Sequence, residues 1–359
     1  MIESHWIPIL YLKNFGFIPK SGKRKSRNKK IYYFSKSKIL KEGIDKNSIQ
    51  RLSLGKICML DKFYSEKMEK YLNIKIETNV LDDTFTQIIS ENAVNTIDNK
   101  QKLSIQQFIL TQLLRTPANI RKKLEMIKWL KTLPKEIYDK SIQNYENPIP
   151  QKNLPSTREE YQKMLENNIY LVSKFPDLLK NYKIQIWINE TNIQYYTSDN
   201  PIIDLTNFMF WNNKILELKL QYSNPIPKLV LPINPRILLL FEKASEIENM
   251  IYPPKRSIND LKEVLKINNE IVRNAEDIVL MKSKNVNNLR YIIKINPNCL
   301  KKKQHIYRVA KLGNRKPKVS YLIENNAEEY ACRYCGKKCR TKEGMKEHLE
   351  KYCKIKNLS

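Results

Sequence analysis

The segment LVLPINPRILLLF, residues 229–241, decides the fold class of this chain. Two apolar runs flank Asn234-Pro235, which predicts a β-hairpin. A second hairpin is predicted before it, from YKIQIWI at 182–188 and NIQYYTSD at 192–199. Both hairpins follow a long helical region, and helices and strands do not alternate regularly. This order predicts an α+β fold, a mixed helical and antiparallel-sheet main domain.

Helical periodicity dominates the chain between residues 61 and 133. A helix is predicted after Ser104, and Pro117 is expected to kink or end it. Further helices are predicted at 156–174, where Ser156 and Glu159 match a capping box, and at 257–277. One face of the first helix carries Ile105, Phe108, Ile109, Leu113 and Leu114.

Short apolar runs elsewhere predict further strands. Residues 6–17 and 31–37 are expected to form a hairpin with a long basic loop. Residues 289–295 are expected to form a short strand. The chain between 296 and 328 is basic and less periodic, which indicates a linker, with a short strand at 319–323.

The chain carries 65 Lys and Arg against 37 Asp and Glu, a formal net charge of +28. Such a charge predicts a polyanionic partner, and nucleic acid or a ribonucleoprotein is the first expectation. Only 14 of the 65 cations are arginines, which favours phosphate contact over base reading. The alternatives are an anionic membrane surface, or a Lys-, Asn- and Ile-rich composition without functional meaning. The candidate nucleic-acid contacts are Lys23, Arg24, Lys25, Arg27, Lys29, Lys30, Lys301, Lys302, Lys303, Arg315, Lys316, Lys318, Lys337, Lys338 and Arg340.

Four of the six cysteines lie in the last 28 residues, at metal-ligand spacing. The tail reads Cys332-x2-Cys335-x12-His348-x4-Cys353, which predicts one structural Zn ion held by these four side chains. A module this small needs the metal to fold. The alternative is that Cys339 takes the place of Cys335 as a zinc ligand.

The tail resembles a single ββα zinc finger of the two-cysteine, two-histidine type, with Cys353 in place of the last histidine. That resemblance implies that Thr341, Gly344 and Glu347 face base edges. Glycine offers no side-chain contact and glutamate repels phosphate. We therefore expect either non-specific nucleic-acid contact or docking of a protein partner.

The N-terminal segment HWIPILYLKNF, residues 5–15, resembles the opening motif of domain-of-unknown-function family 4238. Trp6 departs from the tyrosine that is usual there. The resemblance covers roughly residues 1–290, and it implies a domain and candidate residues without a reaction. Three further segments agree with the family in order: RTP at 115–117, TSDNP at 197–201 and LPINPR at 231–236.

These segments supply three candidate catalytic residues, His5, Arg115 and Asp199. Converging in one cleft, they could combine a general base with phosphate stabilisation, as in a nuclease-type effector of phage defence or toxin class. The structural alternatives are a turn made by Asp199 before Pro201, a helix-to-sheet tie by Arg115, and a backbone hydrogen bond from His5.

The sequence thus predicts three parts: an α+β domain at 1–295, a basic linker at 296–328 and a zinc finger at 329–359. The leading functional expectation is a cytoplasmic nucleic-acid-binding protein without sequence preference. The nuclease-type effector and a protein-docking adaptor acting through the zinc finger are the alternatives. No segment is apolar over the length that a membrane span needs, and the scarcity of paired cysteines outside the tail indicates a reducing compartment.

Overall fold

The computed structural model describes residues 4–19, 29–60, 64–90, 97–142, 149–174, 179, 181–204, 228–243, 255–302, 304–312, 315–324, 330–331 and 338–339. From residue 304 onward the description covers the backbone of the strands. The α-helices in these ranges are α1 (Ile9–Leu12), α2 (Lys36–Glu42), α3 (Glu66–Tyr71), α4 (Phe85–Ser90), α5 (Asn99–Arg115), α6 (Pro117–Thr132), α7 (Lys135–Ile142), α8 (Arg158–Lys174), α9 (Leu261–Asn274) and α10 (Val286–Ile295). A π-helical segment, Leu72–Thr84, joins α3 to α4.

The strands in these ranges are β1 (Ser4–His5), β2 (Lys30–Ser35), β3 (Gln50–Ser53), β4 (Met59–Leu60), β5 (Tyr182–Asn189), β6 (Thr197–Ser198), β7 (Ile203–Asp204), β8 (Lys228–Pro232), β9 (Ile237–Lys243), β10 (Lys255–Ile258), β11 (Ile278–Met281), β12 (Gln304–Leu312), β13 (Arg315–Glu324), β14 (Tyr330–Ala331) and β15 (Lys338–Cys339). Within the described residues they form two main sheets and three two-stranded ones. The five-stranded sheet has the order β10-β5-β9-β8-β7, and the four-stranded sheet has the order β3-β2-β11-β6. All neighbours in both are antiparallel except β10 and β5, which run parallel, so the five-stranded sheet is mixed where an antiparallel one was expected.

The five-stranded sheet is buried on both faces. Leu239 and Phe241 of β9 pack into one apolar cluster with residues of α5 and α8. Leu238 and Leu240 point the other way, into a second cluster with residues of α9, α10 and the four-stranded sheet. Because both faces are covered, nearly every position of 229–241 is apolar. The α+β fold class is confirmed.

The predicted strand at 6–17 is wrong. Only Ser4–His5 is extended, and the chain turns into α1 directly after Pro8. Proline is tolerated as the N-cap of α1 because the N–H that it lacks would make no hydrogen bond within the helix. The apolar residues that follow repeat at helical spacing and are all buried: Tyr11, Leu12 and Phe15.

The second predicted strand of that hairpin is confirmed as β2, but its partners differ. It pairs with β3 on one side and with β11 on the other. A single bridge between Phe17 and Lys30 is all that remains of the predicted pairing.

The predicted strand at 289–295 is also wrong, because this segment belongs to α10. The Asn285 side chain caps the helix by accepting a hydrogen bond from the backbone N–H of Asn288 at 3.0 Å. Leu289 and Ile292, three residues apart, are both buried. A short apolar run fits both a strand and one face of a helix, and here the Asn285 cap favours the helix.

The helices of the N-terminal half exist where predicted, with shifted starts. Asp98, not Ser104, caps α5, and Pro117 opens α6 directly after α5 ends. The carboxylate of Glu160, not Glu159, accepts the free N–H groups before α8, from Ser156 at 2.7 Å and Thr157 at 3.1 Å. The five apolar residues predicted for one face of α5 are buried.

One of the two predicted hairpins is confirmed and one is wrong. β8 and β9 pair as expected, with Leu231 opposite Leu239. β5 instead pairs with β9 and β10, while β6 pairs with β11 in the other sheet. The chain leaves β5 because Tyr195 and Tyr196, which precede β6, are buried in the second cluster.

Two small hairpins follow the main sheets. β12 and β13 pair over most of 304–324, where only a short strand at 319–323 was expected. Cα atoms of β12 lie within 8 Å of α6, and those of β13 within 8 Å of α7. β14 pairs with β15, and the residues between them include Cys332 and Cys335.

Candidate functional site

Tyr11 joins three of the four motif segments. Its buried hydroxyl donates to the carbonyl of Pro232 and lies 2.8 Å from Oγ1 of Thr197. Since the single phenolic proton goes to the carbonyl, Thr197 is the donor in the second bond. Burial raises the pKa of Tyr11 far above its ordinary value, so the hydroxyl stays protonated.

Arg115, the last residue of α5, belongs to the remaining motif segment and connects it to the segment that contains His5. Its guanidinium donates to the carboxylate of Glu77 and to the main-chain carbonyl of His5. Gln112, one turn earlier, donates to the carbonyl of Trp6 at 2.8 Å. Burial lowers the pKa of Arg115, but the charge and hydrogen bond of Glu77, together with Tyr64 and Glu69, raise it above its ordinary value. The cation therefore stays charged in the interior and ties the N-terminal segment to the helices.

Asp199 holds the main chain between α9 and β11. Its two carboxylate oxygens accept the backbone N–H groups of Glu276, Asp277 and Ile278, each at 2.8 Å. Burial raises the pKa of Asp199 to about 6, although the three hydrogen bonds act in the opposite direction. The carboxylate is thus used as a backbone clamp rather than in the turn expected before Pro201.

Residues before and in α2 also form hydrogen bonds with the segment that Asp199 holds. Lys36, which is buried, donates to the carbonyl of Ala275 at 2.8 Å. The carboxylate of Asp277 accepts from Oγ of Ser35 at 2.8 Å and from the N–H of Ser37 at 2.9 Å. The start of β11 is therefore fixed to the start of α2.

Glu276, in the same segment, is the centre of an ion-pair network. Arg121 of α6 approaches it with Nε at 2.8 Å and Nη2 at 2.9 Å. Nζ of Lys302 lies 3.0 Å from the same carboxylate. Lys302, predicted as a nucleic-acid contact, is thus already paired with a carboxylate.

The structure brings two of the three candidate catalytic residues together. Arg115 contacts His5 through its main chain, and Nε2 of His5 is buried without a hydrogen-bond partner among the described residues. Asp199 directs its carboxylate to the segment before β11, and no hydrogen bond of the described residues joins it to His5 or Arg115. Catalysis by the three together stays a prediction.

The predicted nucleic-acid contacts divide into three groups. Lys29 and Lys30 are half-buried before and in β2, and Lys301 and Lys302 are exposed. The strands β13 and β15 carry four others, of which the backbone is described: Arg315, Lys316, Lys318 and Lys338. The rest lie outside the described residues: Lys23, Arg24, Lys25, Arg27, Lys303, Lys337 and Arg340.

All four predicted zinc ligands also lie outside the described residues. The flanking backbone is described, since β14 ends directly before Cys332 and β15 begins three residues after Cys335. Within the described ranges no cluster of three or more His, Cys, Asp and Glu side chains could hold a metal ion.

The charge of the chain is unevenly placed, and this feature was missed in the sequence. Residues 4–41 contain 11 cations and no acid, and residues 278–323 contain 12 cations and no acid. The rest of the chain keeps 42 of the 65 cations and all 37 acids, so it is close to neutral. Because β2 pairs with β11, the fold places residues 32–35 of the first acid-free segment beside residues 278–281 of the second.

The comparison with known proteins agrees with the four motif segments. The family described as "Protein of unknown function (DUF4238)" matches residues 4–285. The chain belongs to this family. No curated protein and no solved structure matches it. In this DUF4238 protein, the bonds of Tyr11, Arg115 and Asp199 give the motif residues an architectural role.

The described helices of the DUF4238 protein do not meet the requirements of a membrane span. Across the described ranges, none combines the length and the apolar character that a crossing requires.

We expect Tyr11→Phe to destabilise the DUF4238 protein by about 1–3 kcal/mol, because Thr197 and the Pro232 carbonyl each lose a buried partner. The free energy of unfolding in urea measures this loss. Tyr33→Phe is the matched control, since the Tyr33 hydroxyl bonds Gln50 at 2.7 Å in an exposed position. Equal losses in both variants would contradict the proposed role of Tyr11.

We expect Asp199→Asn to destabilise the protein by about 2–4 kcal/mol at pH 7, because the amide N–H₂ cannot accept the backbone donors. The pKa of Asp199 in the folded state, about 6, lies above its ordinary value of 3.8. Protonation therefore favours the folded wild-type chain as the pH falls through 6. The deficit of the Asn variant should widen by about 1 kcal/mol between pH 7 and pH 5.

Urea unfolding of the wild type and Asp199→Asn at both pH values measures this difference. A deficit that narrows as the pH falls would mean that the three N–H bonds, not burial, dominate the titration of Asp199.

Proposed function

We propose that this DUF4238 protein binds nucleic acid, as RNA, DNA or a ribonucleoprotein, without reading base sequence. The observation that carries the proposal is the pairing of β2 with β11, which brings together one strand from each acid-free segment. The two segments hold 23 cations, which accounts for most of the net charge of +28. A drift in composition alone would spread the cations over the whole surface.

Lysine chemistry favours the phosphate backbone as the target. Lysine offers a hydrated point charge without the planar fork that recognises a base edge. Each lysine that neutralises a phosphate releases a counterion, so such binding weakens steeply with salt. Binding through the described surface would then depend on charge and shape, with little preference for sequence.

We further propose that the tail binds one Zn ion through Cys332, Cys335, His348 and Cys353. The β14–β15 pairing supports this, since a ββα finger carries its first two cysteines in such a hairpin. In this proposal the tail is an accessory clamp on nucleic acid or a docking site for a protein. A reducing compartment, the cytoplasm, suits these thiolate ligands.

The first test is binding of the full chain to mixed-sequence oligonucleotides, followed by fluorescence anisotropy. We expect 20-nucleotide single strands of RNA or DNA to bind, with an affinity that falls roughly 50-fold between 50 and 200 mM salt. Vesicles with anionic lipid serve as the control for a membrane surface. Binding to vesicles alone, or an affinity for nucleic acid that does not change with salt, would contradict the proposal.

The second test concerns the metal. Purified chain should contain one Zn ion per molecule by elemental analysis, and Cys332→Ser should lose it. Cys339→Ser is the matched control in the same tail and should retain the metal. Zinc retained by the first variant, or lost from the second, would show that the ligand set is wrong.

A further inference from the structure

We propose that Lys13, Lys29 and Lys282 form a phosphate-binding cluster that contacts the backbone of a bound nucleic-acid strand. This inference rests on the proposed function and gives it a specific place. Of these residues, only Lys29 is among the nucleic-acid contacts predicted from the sequence.

Three separate elements bring the lysines to one end of the four-stranded sheet. Lys13 directly follows α1, Lys29 directly precedes β2, and Lys282 directly follows β11. Met281 lies opposite Tyr32 in the β2–β11 register, so Lys282 emerges where β2 begins. Nζ of Lys29 donates to the main-chain carbonyl of Lys13 at 3.3 Å.

The charges of Lys13 and Lys282 act on Lys29. Burial lowers the pKa of Lys29, and the positive charges of Lys13 and Lys282 lower it further. No carboxylate among the described residues forms a salt bridge with any of the three. Like charges gathered without a counterion repel one another, and an anion between them removes that repulsion. A phosphate, which carries charge and several acceptor oxygens, is suited to such a group.

Packing around Lys29 orders the cluster. A Cβ added at Gly16 would lie 3.4 Å from Cβ of Lys29 and 3.3 Å from Leu54, so the chain passes closely here. Lys29 is half-buried, whereas Lys282 is exposed. A partly fixed side chain loses less conformational freedom when it binds, which favours Lys29 as the centre of the group.

Two triple variants of the full chain test the cluster at equal net charge. Lys13→Gln, Lys29→Gln and Lys282→Gln remove the proposed contacts. The control, Lys67→Gln, Lys163→Gln and Lys262→Gln, removes three exposed lysines from α3, α8 and α9, outside the acid-free segments. The probes are 20-nucleotide single-stranded RNA and DNA, titrated at several salt concentrations.

We expect the cluster variant to lose roughly 10-fold or more in affinity, and the slope of log K against log salt to fall by about 2–3. The control should lose less than about 3-fold. A third variant with arginine at positions 13, 29 and 282 keeps the charge, and it should bind as the wild type does. Because Lys29 is half-buried, the Lys13→Gln, Lys282→Gln double variant, checked by its unfolding curve, separates binding from folding.

The outcomes separate the two proposals. If the wild type does not bind either probe, the proposed function is wrong. If the wild type binds and the cluster variants match the control in affinity and salt slope, nucleic-acid binding stands and this cluster is overturned. A loss confined to the cluster variants, restored by arginine, supports it.

Discussion

The three hydrogen bonds from backbone N–H groups to Asp199 are the constraint on which the rest of the structure depends. They fix the segment from Glu276 to Ile278 and hence the start of β11. In the four-stranded sheet β11 lies between β6 and β2. It therefore connects residues 197–198 to residues 30–35. Two residues of α2 hold the same turn, since Lys36 donates to the carbonyl of Ala275 and the N–H of Ser37 donates to the carboxylate of Asp277. A buried carboxylate is costly, and here backbone donors that need acceptors offset part of that cost.

The sequence predicted most elements whose pattern is long. Helical periodicity located α5, α8 and α9, and the continuous apolar run of 229–241 located β8 and β9. The sequence pattern failed for 6–17 and 289–295, where a few apolar residues fit both the strand period and the helix period. Pro8 in the first case and the Asn285 cap in the second lie directly before a helix. The pattern also failed for the partners of β5 and β6, because strand pairing depends on burial of Tyr195 and Tyr196 between sheets, which is a tertiary effect.

The candidate site shows the same division between local and tertiary information. Motif residues found in the sequence are adjacent in space, but the bonds they form, such as Tyr11 to Thr197, required the structure. The total charge indicated a polyanionic partner. Its location depended on two further facts, the absence of acids from residues 4–41 and 278–323 and their adjacency across β2 and β11. Of these, only the first could have been found in the sequence.

The β2–β11 pairing also has a consequence for biosynthesis. Ser35 and Ile278, which face each other in that pair, are separated by more than two thirds of the chain. A nascent chain exposes its first basic segment long before the second leaves the ribosome, and contacts between such distant segments form late. The combined basic region therefore forms only after both segments have been synthesised and β2 has paired with β11. Partial chains and proteolytic fragments would carry one half of it.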